Sequence, residues 1–195
     1  MHILGLCGSL RAASLNMALL RAAQELAPDG MTVEIVEAAA IAALPLMNED
    51  LETPQGRPAP VEALRARVWP ADGLLIASPE YNYGVASPLK NAIDWLSRAE
   101  PGHPSGRRTP LAGKVAALMG ATPSRTGTVR AQMQLRQVLY PLGVHLLAAP
   151  EIFVGEAHRM FDGGELVDQP TRDLVARQLA GLLAWGRQLR AGSGA

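Results

Sequence analysis

From Gly73 to Arg98 the chain reads G-L-L-I-A-S-P-E-Y-N-Y-G-V-A-S-P-L-K-N-A-I-D-W-L-S-R: an apolar run, a crowded polar and aromatic turn, then a helical stripe opened by Ser87-Pro88. This order constrains the fold more than any other feature. An uninterrupted apolar run of strand length suits a strand buried on both faces, as in a parallel sheet covered by helices. Pro79 stops the run. In open α/β sheets ligands sit beyond the carboxyl ends of the strands, so Glu80, Tyr81, Asn82, Tyr83 and Gly84 fall where a flat aromatic ligand would rest. A plain surface turn carrying two tyrosines is the alternative.

The same grammar of strand, loop and helix recurs along the chain. His2 to Cys7 is an apolar run closed by Gly8-Ser9, and Met17, Leu20 and Leu26 then mark a helix. Pro28-Asp29-Gly30 ends that helix, and Thr32 to Val36 supplies a second strand. Ala38 to Ala59 reads as a long loop, followed by a short helix over Val61 to Val68 and the third strand over Gly73 to Ala77. A helix over about Pro88 to Arg98 leads into a punctuated loop, Pro101 to Gly106. The fourth strand lies within Leu111 to Gly120, and Ala121 to Gly127 is a hydroxyl-rich loop before a helix over Val129 to Leu142 that Gly143 should stop. The fifth strand falls in Val144 to Leu147 or in Ile152 to Val154; the pattern leaves both open. Asp168 and Pro170 open a final helix that runs to about Leu189. The alternation predicts an α/β fold, a doubly wound five-stranded parallel sheet of order 2-1-3-4-5, in one domain over residues 1–195.

Composition narrows the function classes. The 195 residues suffice for one well-formed core, and 48% apolar with 18% charged residues describes a globular chain. The formal net charge is zero, so no global field draws the protein to nucleic acid or to a membrane surface. A single cysteine, Cys7, excludes an internal disulfide and a cysteine-based zinc site; no metal is expected. The start, M-H-I-L-G-L-C-G-S, lacks the pattern of a signal peptide, so a cytoplasmic location is expected.

In order 2-1-3-4-5 the first, third and fourth strands are neighbours, and the loops after them converge at the switch point. The first, Gly8 to Asn16, offers the hydroxyls of Ser9 and Ser14, the Arg11 guanidinium and the Asn16 amide immediately before a helix. Free N–H groups at a helix N-terminus together with an arginine suit a phosphate. The plainer reading has Ser14 capping the helix and Arg11 in solvent. G-x-G-x-x-G and Gly-Lys-Ser/Thr are both absent, which excludes the dinucleotide fingerprint and the P-loop. Around Glu80 to Tyr83 the backbone can bond the edge of a heteroaromatic ring while a tyrosine packs on it; adenine, flavin and nicotinamide all satisfy that. The third loop, Thr122 to Gly127, closes the far side. His103, His145 and His158 are scattered and read as structural, Cys7 as a buried small apolar group, and Trp69 and Trp95 as core or subunit contacts. Glu80 and Asp94 suit interface or helix-terminal roles rather than a catalytic carboxylate pair.

Five segments carry a resemblance: G-S-L-R-x-x-S-x-N at Gly8 to Asn16, L-P-L-M-N-E-D at Leu44 to Asp50, P-E-Y-N at Pro79 to Asn82, L-K-N-A-I-D-W-L-S-R at Leu89 to Arg98, and R-A-Q-M-Q-L-R-Q-V-L at Arg130 to Leu139. The chain resembles the NADPH-dependent FMN reductase family, which has the flavodoxin-like fold and includes quinone, chromate and azo-dye reductases. The resemblance implies that Ser9, Arg11, Ser14 and Asn16 hold the FMN phosphate, that Pro79, Glu80, Tyr81 and Asn82 line the isoalloxazine, and that Ser124 with its loop completes the pocket. It further implies that NADPH (or NADH) as co-substrate gives a hydride to N5 of FMN and is then replaced by a small-molecule acceptor. A quinone, an azo or nitro compound, a metal oxyanion or free flavin would take the two electrons. With the chemistry on FMN, no protein residue is expected to be catalytic. A homodimer or homotetramer is implied as well. The chain departs from the family where Gly84 and Ala86 replace the usual serine and proline and Pro88 comes later, which implies a different loop shape beside the flavin. Two rivals stand: a flavodoxin-type electron carrier without NADPH turnover, a class that is typically acidic where this chain is neutral, and a non-enzymatic nucleotide-binding domain.

Overall fold

The computed structural model describes residues 1–100, 102–103 and 108–192. In chain order the elements are β1 (His2–Cys7), α1 (Leu15–Glu25), β2 (Thr32–Ile35), α2 (Ala38–Ala42), α3 (Ala59–Val68), β3 (Gly73–Ala77), β4 (Glu80–Tyr81) and β5 (Gly84–Val85). There follow α4 (Ser87–Leu96), β6 (Val115–Ala121), α5 (Val129–Leu139), β7 (His145–Leu146), β8 (Ile152–Val154), β9 (Phe161–Asp162), β10 (Glu165–Leu166) and α6 (Gln169–Gly192). The central sheet runs β2-β1-β3-β6 in parallel, and β7 and β8 both pair with β6 in the fifth place. This is the flavodoxin-like order 2-1-3-4-5.

Both candidates for the fifth strand are therefore strand. β7 lies beside Val115 and Ala116, and β8 lies beside Met119 to Ala121. Between them the chain leaves the ladder around Pro150, and the side chain of Gln178 on α6 fills the gap, donating to Leu118 O (2.9 Å) and Pro150 O (2.8 Å). A buried carbonyl in the centre of a sheet requires a donor, and the glutamine supplies it.

Alternation along the strands divides the core in two. Ile3, Cys7, Leu75 and Ala77 face α1 and α6, while Leu4, Leu6, Leu74 and Ile76 face α3, α4 and α5. Gly73 permits the third strand to approach the fourth, because a Cβ there would lie 2.6 Å from Val115 O.

The segment read as one long loop, Ala38 to Ala59, contains α2 and a 3₁₀ turn at Glu49–Leu51. A-A-A-I-A has strong helix propensity, and Ile41 anchors it in the core. The next residues are held by α4: Asn91 accepts from Met47 N (2.8 Å) and donates to Pro45 O (2.9 Å), and the Trp95 indole N–H donates to the same carbonyl (2.8 Å). The helix after the fourth strand ends at Leu139, since Pro141 cannot donate; a 3₁₀ turn over Tyr140–Leu142 and Gly143 at φ 70° complete the stop. Asp168 caps α6 through Thr171 N (2.9 Å). Of the Pro101 to Gly106 loop only Gly102 and His103 are described; the rest lies outside the described residues. His103 stacks on Trp69 with centroids 3.7 Å apart. Among the described residues no helix is long and apolar enough to cross a membrane.

Arg65, only 1% exposed, donates to Trp95 O (3.2 Å), Arg98 O (3.0 Å) and Glu100 Oε2 (2.8 Å), tying α3 to the end of α4. The Arg65 hydrogen bond, with Arg57 also close, holds the Glu100 carboxyl below the usual carboxylate range against a smaller opposing effect of burial. The stabilisation from this shift is fully present above the unfolded carboxylate value of about 4.3 and is lost as pH falls through the lower folded value. Glu100→Gln should therefore melt below wild type at neutral pH, with the gap closing in acid. A gap independent of pH would contradict the assignment.

Candidate functional site

Three loops meet beyond the carboxyl ends of β1, β3 and β6. The first runs from Gly8 to the start of α1. Gly8 lets it lie flat: a Cβ there would sit 3.1 Å from Pro79 Cδ and 3.2 Å from Ala86 Cβ. Ser14 is the N-cap of α1, accepting from Met17 N (3.2 Å), and its hydroxyl also lies 3.9 Å from Cys7 Sγ. Asn16 is buried and makes a reciprocal pair with one residue of β6, Nδ2 donating to Ala121 O (2.9 Å) and Oδ1 accepting from Ala121 N (2.9 Å). That pair fixes the first turn of α1 against the sheet and leaves one amide N–H over. The backbone N–H groups of Leu15 and Asn16 have no acceptor among the described residues, as expected at a helix start. Arg11 is exposed, its guanidinium donating to Ala13 O (2.6 Å).

Cys7 lies directly beneath this loop, where its sulfur accepts from Ser9 N (3.5 Å). Burial pushes its thiol up, outweighing the hydrogen bonds from Ser9 and Ser14. The native protein should resist iodoacetamide at pH 8 and react once unfolded; rapid labelling of the native state would contradict the burial.

The second loop is a hairpin of β4 and β5 closed by Asn82 and Tyr83, at φ 50° and 64°. Two consecutive left-handed residues make a type I′ turn, an unusual conformation for a tyrosine, so tertiary contacts must enforce it. They come from α5. Gln134 accepts from Val85 N (3.1 Å) and donates to Tyr83 O (3.3 Å), and the Arg130 guanidinium sits 4.2 Å from the Tyr83 ring centre. The Glu80 side chain, 7% exposed, accepts from Arg130 N (2.9 Å), Ala131 N (3.1 Å) and Arg130 Nη1 (3.1 Å). The residue preceding α5, Thr128, makes no cap through its side chain, whose oxygen accepts from Gln132 instead. Glu80 thus caps a helix fifty residues away. The departure at Gly84 to Pro88 is accommodated here: a Cβ on Gly84 would sit 3.1 Å from Gln134 Oε1, Ala86 is fully buried, and Pro88 occupies the first turn of α4, where no N–H is needed.

The third loop, Thr122 to Gly127, is held by glycines. A Cβ on Gly120 would strike Thr128 Oγ1 and lie 2.5 Å from Ser78 O; one on Gly155 would lie 2.5 Å from Arg125 O. Ser124 and Thr126 share a hydroxyl hydrogen bond (3.1 Å).

These loops enclose two adjoining pockets. The first, of about 330 Å³, is lined by Ser9, Arg11, Ser14, Leu15, Asn16, Pro79, Glu80, Tyr81, Ala121, Thr122 and Pro123. The second, of about 480 Å³, is lined by Glu80, Asn82, Tyr83, Thr122 and Ser124. Of the candidate residues, Ser9, Arg11, Ser14, Asn16, Pro79, Glu80 and Tyr81 come together in the first, while Asn82 and Ser124 line the second. Thr122, Pro123 and Tyr83 were not singled out as ligands; the only signal was their place in unusual loops. At one end of the first pocket stand hydroxyls, backbone N–H groups and a guanidinium, a donor set that fits a phosphate. At the other, Pro79, Tyr81 and Pro123 give apolar walls that fit a flat ring. The one carboxylate, Glu80, is already engaged. FMN matches that division.

A flavodoxin-like sheet with a phosphate-and-ring pocket at its switch point defines a mononucleotide-binding α/β protein. The sequence profile of the NADPH-dependent FMN reductase family matches residues 1–159, and the chain belongs to that family. It is 45% identical over 189 residues to an NAD(P)H-dependent FMN reductase of Pseudomonas aeruginosa, covering 96% of each chain. It is 38% identical over 181 residues to the quinone reductase of Escherichia coli K12, covering 92% of each. Among solved structures, the flavoenzyme NAD(P)H:(acceptor) oxidoreductase FerB from Paracoccus denitrificans superposes with a TM-score of 0.81 at 28% identity, over 96% of this chain and 97% of that one.

Proposed function

We propose that the protein is an FMN-dependent NAD(P)H oxidoreductase, one domain over residues 1–195, that reduces small-molecule acceptors of the quinone class. The observation that carries this reading is the single pocket joining the Ser9 to Asn16 donors to the walls made by Pro79, Tyr81 and Pro123. The names of the relatives, an FMN reductase and a quinone reductase, support it. Ser9, Ser14, the Leu15 and Asn16 N–H groups and Arg11 hold the phosphate. The free N–H of Asn16 points the same chemistry at it, while its other amide bonds keep α1 in register. Pro79 and Tyr81 flank the ring and exclude water from one side. The chemistry FMN supplies when bound is two-electron transfer from a reduced nicotinamide to an acceptor. Glu80 positions the hairpin and moves no proton. A homodimer or homotetramer belongs to this reading, and sedimentation as a monomer at micromolar concentration would remove it.

The test is steady-state oxidation of NADPH by the FMN-loaded protein with a benzoquinone. Turnover that requires both FMN and protein supports the reductase. Retained FMN without NADPH turnover would make the protein a carrier. Within this account Arg11→Ala should weaken FMN by about 10- to 100-fold, the range of one charged hydrogen bond, and should leave riboflavin, which lacks the phosphate, unaffected. Unchanged FMN affinity would move the phosphate elsewhere.

A further inference from the structure

We propose that Gln134 of α5 is a positioning residue for the reaction: matched to Gly84, it holds the Asn82 to Tyr83 turn in the left-handed shape that sets the wall beside the ring end of the site. This rests on the reductase reading above. Tyr81, at the start of the turn, lines the first pocket, Asn82 and Tyr83 line the second, and Glu80 lines both. These four residues are consecutive, so the shape of one turn fixes the surface that a reactant of the flavin rests against.

That turn does not hold itself. A tyrosine at φ 64° lacks the freedom of the glycine that a type I′ turn favours in second place, and such a residue persists only where its surroundings over-determine it. β4 and β5 have two residues each and form a two-stranded sheet of their own, so the central sheet gives the hairpin no support. Its supports come from α5. Glu80 ties the base of the hairpin to the helix start, and the Arg130 guanidinium lies 4.2 Å from the Tyr83 ring centre. Gln134, one helical turn further on, holds the backbone of the tip: Oε1 accepts from Val85 N (3.1 Å) and Nε2 donates to Tyr83 O (3.3 Å), so one amide spans the turn. Its approach depends on Gly84. A Cβ there would lie 3.1 Å from Gln134 Oε1 and 3.8 Å from Nε2, close enough to push the amide off Val85. Gly84 itself lies outside the left-handed region, so its backbone accepts alanine and the space for Gln134 is what requires the glycine. The Gln134 side chain is exposed, and its removal loosens the turn without disturbing the core.

Two measurements test this. By hydrogen exchange on the whole protein, the Val85 amide of Gln134→Ala should exchange about tenfold or more faster than in wild type, while the amides of β3 and β6 keep their protection and the melting temperature stays within about 2 °C. In steady state at saturating FMN, Gln134→Ala should raise KM for NADPH and for a benzoquinone about 3- to 10-fold each, with kcat within about twofold of wild type. Gly84→Ala should reproduce part of that rise on its own and add nothing to Gln134→Ala, because both act through one amide. Unchanged exchange at Val85, KM values that do not move, or effects of Gly84→Ala and Gln134→Ala that simply add would each overturn the proposal. If the wild type oxidises neither NADPH nor NADH, the reductase reading fails and takes the role in the reaction with it, while exchange at Val85 still decides whether Gln134 holds the turn.

Discussion

Asn16→Ala is expected to destabilise the protein by about 2–5 kcal/mol, because it leaves the buried N–H and C=O of Ala121 without partners and each such group costs about 1–3 kcal/mol. For a chain of this length the melting temperature should fall by roughly 5–15 °C. FMN affinity should fall with it, since the helix start that presents the phosphate donors loses its tie to β6. The conservative variant separates the two effects. Asn16→Asp can still accept from Ala121 N, but it places a carboxylate against Ala121 O and a negative charge beside the phosphate. It should recover little stability and bind FMN no better than Asn16→Ala. A melting temperature within about 2 °C of wild type for Asn16→Ala would show that this pair does not hold the site together.

Glu80→Ala is the second large effect. It removes the side-chain cap that the described residues give α5 and frees Arg130, for an expected loss of about 0.5–3 kcal/mol, made up of a cap worth about 0.5–2 kcal/mol and a half-exposed ion pair worth up to about 1 kcal/mol. The Asn82 to Tyr83 turn loosens in consequence, so the affinity for FMN and the KM for the nicotinamide both worsen. Glu80→Gln keeps an acceptor for the helix start and should restore part of the stability while leaving the pH profile of kcat as in wild type. A general acid or base would behave otherwise: Glu80→Gln would then cost about 100-fold or more in kcat with the fold intact, and the pH profile would change.

The central strands were legible because their apolar runs are uninterrupted and end in Gly8-Ser9 and Pro79, and the caps at Ser14 and Asp168 and the stop at Gly143 are local chemistry that a sequence displays. What was not legible depends on distant partners. The break between β7 and β8 is closed by Gln178 from another helix, and no pattern in residues 144–154 announces that. The β4–β5 hairpin lacks the Asn-Gly signal because Gln134 and Glu80 impose the turn on Asn82 and Tyr83. By contrast, the β9–β10 hairpin carries a local signal in Gly163-Gly164, at φ 55° and 87°. In the site, the phosphate-binding residue types stood out as a hydroxyl, guanidinium and amide set before a helix. That Asn82 and Ser124 line the second pocket together depends on how the hairpin and the Thr122 to Gly127 loop meet in space, which spacing alone does not determine. For Glu80 the sequence suits an interface or helix-terminal role and the resemblance implies a place along the isoalloxazine; the helix it caps lies fifty residues on.

The central claim is that one pocket holds FMN by the Ser9 to Asn16 loop so that a reduced nicotinamide can reduce it. The most direct measurement is the visible spectrum of protein mixed with FMN and desalted, then titrated anaerobically with NADPH and finally with a quinone. The account predicts a retained yellow colour that NADPH bleaches and the quinone restores. A protein that leaves the column colourless would contradict it.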